Sequence, residues 1–134
     1  MLFAASRHAV VGVDVERVDT GADVVRLARR FFSPGEALAL SRLPDDERPG
    51  AFFRIWTAKE AVLKGAGGGV PSRLRSVPAA VEEDGRRAGL RFAGVDWTLH
   101  HVDAPAGYAA TLAVRGDGII HIHETLEEGP AATA

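Results

Sequence analysis

The chain contains no cysteine, and only one methionine and one tyrosine among its 134 residues. Without cysteine there is no disulfide, no thiolate zinc site and no sulfur nucleophile, and the redox compartment cannot be read. No apolar run approaches the roughly 18–20 residues that a membrane-spanning helix needs. The first residues lack the basic-then-apolar layout of a secretory leader, so a soluble, cytoplasmic protein is expected. Neither sign of charge dominates: the formal net charge is −2, which offers no basic field to nucleic acid or an anionic membrane. What is present is ordinary for a globular chain, with 46% hydrophobic and 25% charged residues. The length suits one domain with a real core. A single domain over residues 1–126 is expected, followed by a disordered tail at 127–134.

Local patterns place the elements. Residues 2–5 and 9–15 read as strand, with a turn at 6–8 between them. Residues 23–30 read as a short helix. Ser33, Pro34 and Glu36 form a helix start: a capping serine, a proline in the first turn and a glutamate three residues after the cap. That helix should run to about residue 43 and stop before Pro44. The main helix is expected over 51–66, with Phe52, Ile55, Trp56, the Lys59 stem, Val62 and Leu63 on its apolar side. Four glycines between 65 and 69 end it, and their place after a helix argues for a cap and loop rather than a phosphate cradle. Residues 77–82 and 87–92 flank a turn, as do 95–102 and 108–114, and 119–123 is a weaker strand. Strand, helices, then strands point to an α+β fold with an antiparallel sheet packed against the long helix.

Two segments carry chemistry. In the strand V-G-V-D-V-E, Asp14 and Glu16 are two apart and share a face, while Val13 and Val15 take the other. In the helix W-T-A-K-E-A-V-L-K, Trp56, Glu60 and Lys64 are four apart and line one face. Two acids on a valine-rich strand stay ionised more easily around a cation, and magnesium commonly bridges one or two carboxylates to a phosphate. The plain alternatives are an exposed acidic face and a Glu60–Lys64 ion pair within the helix, and Lys59 can be a snorkelling side chain. The histidines are less specific: His121 and His123 could share a strand face, whereas the adjacent His100 and His101 must point to opposite faces.

At this point the pattern resembles a known family, the 4′-phosphopantetheinyl transferases of the Sfp type. The fragments G-V-D-V-E-R-V (12–18), R-F-F-S-P-G-E (30–36), F-F-R-I-W-T-A-K-E-A-V-L-K (52–64) and P-A-G-Y-A-A-T-L-A-V (105–114) resemble its signatures, in order. The resemblance implies transfer of 4′-phosphopantetheine from coenzyme A to a serine of an acyl or peptidyl carrier protein, serving fatty acid, polyketide or nonribosomal peptide synthesis. By motif position, Asp14, Glu16 and Glu60 would hold magnesium, and Glu60 would also take the serine proton. Lys64 would meet a phosphate and balance charge in the transition state, with Lys59 beside it as a second contact to coenzyme A. Trp56 is expected to pack.

The departures are equally specific. The chain is similar only to the C-terminal half of Sfp-type enzymes, and the family's Ser-His phosphate motif is absent before the first strands. A partner half, a second copy or a non-catalytic module that binds metal or carrier protein would each account for this. An unrelated magnesium-dependent phosphohydrolase is a weaker alternative. The incomplete half should expose an apolar patch beside Asp14 and Glu60 and tend to associate.

Overall fold

A computed structural model describes residues 9–67 and 71–116. Strand β1 is Val11–Arg17, followed by helices α1 (Val24–Phe31), α2 (Pro34–Ser41) and α3 (Arg48–Gly65). A 3-10 turn at Pro71–Ser76 leads to strands β2 (Val81–Glu82), β3 (Arg87–Phe92), β4 (Val95–Val102) and β5 (Tyr108–Arg115). The strands form one antiparallel sheet in the order β1-β5-β4-β3-β2. The α+β architecture is therefore the expected one. The expected strands at 2–5 and 119–123, the turn at 6–8, the tail, His121 and His123 lie outside the described residues. Within the described residues no helix is long and apolar enough to cross a membrane.

Helix α2 begins as its sequence dictates. The Ser33 hydroxyl accepts the Glu36 N–H at 3.2 Å, and the Glu36 carboxylate accepts the Ser33 N–H at 3.1 Å. Each bond satisfies an amide that the helix leaves without an internal partner. The helix ends at Ser41, earlier than expected, because Arg42 and Leu43 turn into tighter bonds to Ala39 and Leu40. Helix α3 starts three residues early, with Pro49 in its first turn. The strand expected at 77–82 shrinks to Val81–Glu82. Pro78 has no N–H for a ladder, and Val77 is fully buried and tied back to Leu74.

Helix α3 is packed on two sides. Toward the sheet, Ala58, Ala61, Val62 and Leu63 meet Leu90, Trp97, Leu99 and Ala113. Toward α1 and α2, Phe52 stacks on Phe32 with ring centroids 4.9 Å apart, inside a cluster with Val24, Ala28 and Leu40. A helix wrapped this way needs small residues where the sheet comes close, so Thr57, Ala58 and Ala61 are buried although no amphipathic stripe marks them. The closest approach is at Gly12 of β1, where an added Cβ would overlap the Ala61 carbonyl oxygen and the Gly65 nitrogen. Gly65 in turn leaves room for the Trp97 ring, which an added Cβ would meet at 2.8 Å. This first glycine of the run thus has a packing role beyond ending the helix.

Candidate active site

The close packing of β1 on α3 brings the expected acids together. Even-numbered residues of β1 face α3, and odd-numbered ones face away. Asp14 is therefore buried, at 3% exposure, while Val15 is 41% exposed. Lys64, one turn beyond Glu60, reaches across to β1: its ammonium donates to Asp14 Oδ1 at 2.5 Å. The helical spacing of Glu60 and Lys64 suggested a pair within the helix, but the lysine serves the strand. Asp14 Oδ2 is also buried and has no hydrogen-bond partner among the described residues.

The electrostatics follow from three acids around one ammonium. Burial pushes the Glu16 carboxyl above its ordinary range, helped by the charge of Asp14 and a proton shared with it, then by Glu60 and against Lys64. Such a shared proton exists only when one of the two acids is protonated; with both ionised, Asp14 Oδ2 is left without a donor. Burial likewise raises Glu60, with Asp14 adding to the rise and Lys64 opposing it. For Lys64 burial acts downward, but the hydrogen bond and charge of Asp14, with Glu60 and Glu16, outweigh it and raise the ammonium. The cluster therefore holds more negative charge than its own lysine balances.

Among the described residues no group of three or more His, Asp or Glu side chains is preset to hold a metal ion. The donor set nevertheless suits a hard cation. It offers carboxylate oxygens only, one of them buried without a donor, and two acids that burial and then the charge of Asp14 hold above their ordinary range.

Lys59 is a correction. Expected beside coenzyme A, it is 2% exposed and points away from the acids. Its ammonium donates to Glu36 Oε1 at 2.8 Å and to the Val77 carbonyl at 2.6 Å, and lies 5.4 Å from the Phe32 ring centroid. It joins α2, α3 and the segment before β2, and at 2% exposure it is closed off from a phosphate while those contacts hold. Trp56 packs against Phe31 at 5.5 Å, as expected. His101 faces α3 and His100 the opposite side, in line with their adjacency.

Sequence reasoning missed two buried hydroxyls beneath the acids, Thr57 and Thr111, and the contact of Thr111 with the part-buried His101. Thr57 carried a usable signal, standing one turn before Glu60. Thr111 carried none, because only the β1–β5 register sets it opposite Asp14.

An antiparallel sheet closed over one long helix, with an acidic site where its edge strand meets that helix, defines the class of protein. A family model described as the 4′-phosphopantetheinyl transferase superfamily matches residues 10–113, and the chain belongs to that superfamily. The 4′-phosphopantetheinyl transferase HetI of Nostoc sp. strain PCC 7120 is 35% identical over 115 residues, covering 72% of this chain and 48% of HetI. The 4′-phosphopantetheinyl transferase Sfp of Bacillus subtilis strain 168 is 32% identical over 76 residues, covering 57% of this chain and 33% of Sfp. The chain thus spans about half the length of HetI and a third of Sfp. A holo-(acyl-carrier-protein) synthase from Bacillus anthracis, solved in complex with CoA (3′,5′-ADP), has the same fold. Its TM-score is 0.66 at 16% identity, covering 80% of this chain and 96% of that one.

Proposed function

We propose that the chain supplies the acidic site of a magnesium-dependent transferase that moves 4′-phosphopantetheine from coenzyme A to a carrier-protein serine. Asp14, Glu16 and Glu60 would hold the magnesium ion, which when bound neutralises the coenzyme A pyrophosphate. The observation that carries this reading is the gathering of three acids about one ammonium, with Asp14 Oδ2 buried and without a hydrogen-bond partner among the described residues. Lys64, half exposed at 49%, would turn its ammonium toward the pyrophosphate and balance its charge. Glu60, held above the ordinary carboxylate range, takes the serine proton. The serine oxygen then bonds to the phosphorus that carries pantetheine, and the bond from that phosphorus to the bridging oxygen breaks. Adenosine 3′,5′-bisphosphate leaves with the electron pair. A cytoplasmic setting, where coenzyme A and carrier proteins meet, belongs to the same reading.

Two surfaces support the partners. Arg26, Arg29 and Arg30 are exposed on α1, near Arg75 and the 51%-exposed Leu38, a basic and apolar rim that suits an acidic carrier protein. On the sheet face turned away from α3 and Asp14, Val15 and Tyr108 leave apolar surface 41% and 49% exposed along the β1 edge. That apolar strip fits a second copy of the chain or a partner half, which would bring the remaining coenzyme A contacts. Light scattering tests it: self-association is expected, and a clean monomer at high concentration counts against a second copy.

Mass spectrometry of an apo-carrier protein incubated with the chain, coenzyme A and magnesium tests the transfer. A mass gain of one phosphopantetheine is expected. Binding of the carrier without mass gain favours a second reading, a non-catalytic half. That reading draws on the short span of the chain relative to HetI and on the commitment of Lys59 to Glu36. Breakdown of a nucleotide pyrophosphate with no carrier present would replace both with a phosphohydrolase.

A further inference from the structure

A buried chain of hydroxyls crosses from the sheet to α3 beneath the acids. Thr111 on β5 is directly opposite Asp14 in register and fully buried, as is Thr57 on α3. Their hydroxyl oxygens are 2.9 Å apart and buried. Thr57 donates to the Arg54 carbonyl at 3.1 Å. Thr111 also lies 3.3 Å from His101 Nδ1, so the contacts run continuously from His101 through Thr111 and Thr57 to the α3 backbone. The other ring nitrogen of His101 faces Glu82 at 3.8 Å.

This chain occupies a specific place. Thr57 is one helical turn before Glu60, and Thr111 is the cross-strand neighbour of Asp14. Strand β1 itself meets α3 through the backbone contact at Gly12 and through the half-exposed Lys64 ammonium on Asp14, so the hydroxyl pair is the fully buried polar bond that joins α3 to the neighbouring strand β5. Apolar packing alone tolerates small slides of a helix over a sheet, whereas a hydrogen bond weakens steeply with angle and distance. We infer that Thr57 and Thr111, oriented by His101, are positioning residues that register α3 on the sheet and so set the separation of Glu60 from Asp14. The inference rests on the reading of Asp14, Glu16 and Glu60 as cation ligands. It assigns the two threonines the part that outer-shell hydrogen bonds play in known metal sites.

The test uses the full chain with manganese as the probe, its free ion followed by electron paramagnetic resonance. Thr111→Val and Thr57→Val keep side-chain shape and remove the hydroxyl, and circular dichroism verifies folding at the assay temperature. Each is expected to weaken manganese binding by about 10- to 100-fold. The double variant should be no weaker than the poorer single, because both break one chain, and Thr111→Ser should keep the wild-type affinity. Wild-type affinity in both valine variants overturns the inference, as does a serine variant that falls as far as the valine one. A metal-free arm separates the two readings: amide hydrogen exchange in β1 and in the second half of α3 should quicken in the valine variants and not in the serine one. If the wild type takes up no manganese, the cation reading fails, and the exchange arm alone decides registration. Should one valine variant not fold, the other interrogates the same bond from its opposite end.

Discussion

Helix α3 carries two lysines five residues apart, and their surroundings are opposites. Lys59 is 2% exposed and faces one acid, Glu36, itself 9% exposed. That pair is charge-balanced, closed by the Val77 carbonyl, and unable to engage anything else without coming apart. Lys64 is 49% exposed and faces Asp14 at 3% exposure, with Glu16 and Glu60 close behind. This second cluster is unbalanced and open on one side. A balanced buried pair joins elements, whereas an unbalanced one at a surface retains free energy for a ligand. The two lysines of one motif therefore sit in opposite settings, one closed within the structure and the other open to a ligand.

The largest effect should come from the open cluster. Glu60→Gln removes the proposed base and one proposed cation ligand, and carrier modification should fall by about 100-fold or more. Asp14→Ala should do the same. Glu60→Gln should melt close to the wild type, because it removes a carboxylate that its neighbours repel, whereas Asp14→Ala also gives up the Lys64 bond and should melt lower. Retained activity in either would merge the two lysine environments into one structural role.

The closed pair should show the reverse pattern. Lys59→Met leaves Glu36 buried without its cation, and breaking one side of such a pair costs about 3–5 kcal/mol. Urea denaturation reads this directly. Adding Glu36→Gln to Lys59→Met should recover part of the loss, since the orphaned charge goes while a side chain able to cap α2 remains. Gly12→Ala probes the contact that holds the open cluster together. Its Cβ would overlap backbone atoms of α3 that cannot swing aside, so a loss of about 1–3 kcal/mol is expected on denaturation.

The smallest effect is in pH. Glu16 and Glu60 have raised values in the folded chain, so between the ordinary glutamate range and those raised values the folded state binds more protons than the unfolded one. Without divalent cation, stability should therefore decline as pH rises through that window and level off above it. Lys64, also raised, contributes stability that is complete below its ordinary value and is lost in alkali as pH passes its folded value. Magnesium, if held by the ionised acids, should flatten the acid-side decline. Thermal melts at a series of pH values, with and without magnesium, measure both trends. A rise in metal-free stability through the window would contradict the crowding of acids.

Much of this was legible from local pattern. Alternation put Asp14 and Glu16 on one strand face, and spacing of four put Glu60 and Lys64 on one helix face. The capping box at Ser33 and Glu36 formed as written. The strand expected at 77–82 failed because Pro78 cannot donate and Val77 had a tertiary partner. Thr57, Ala58 and Ala61 were not recognised as buried, because α3 is covered on two sides and its small residues follow no single stripe. Glu36 read as a cap alone, yet its carboxylate serves the α2 amide and Lys59 together.

The amino-acid order by itself determined which segments extend or coil and which side chains share a face. Those properties depend on neighbours two to four residues away, and backbone geometry repeats on that scale. Only the tertiary structure decided which lysine answers which acid, since Lys64 and Asp14 are 50 residues apart and Lys59 and Glu36 are 23 apart. Their pairing depends on how closely β1 and α2 settle against α3. That closeness is set by Gly12, Gly65 and a buried pair of hydroxyls, none of which carries a charge that would announce it.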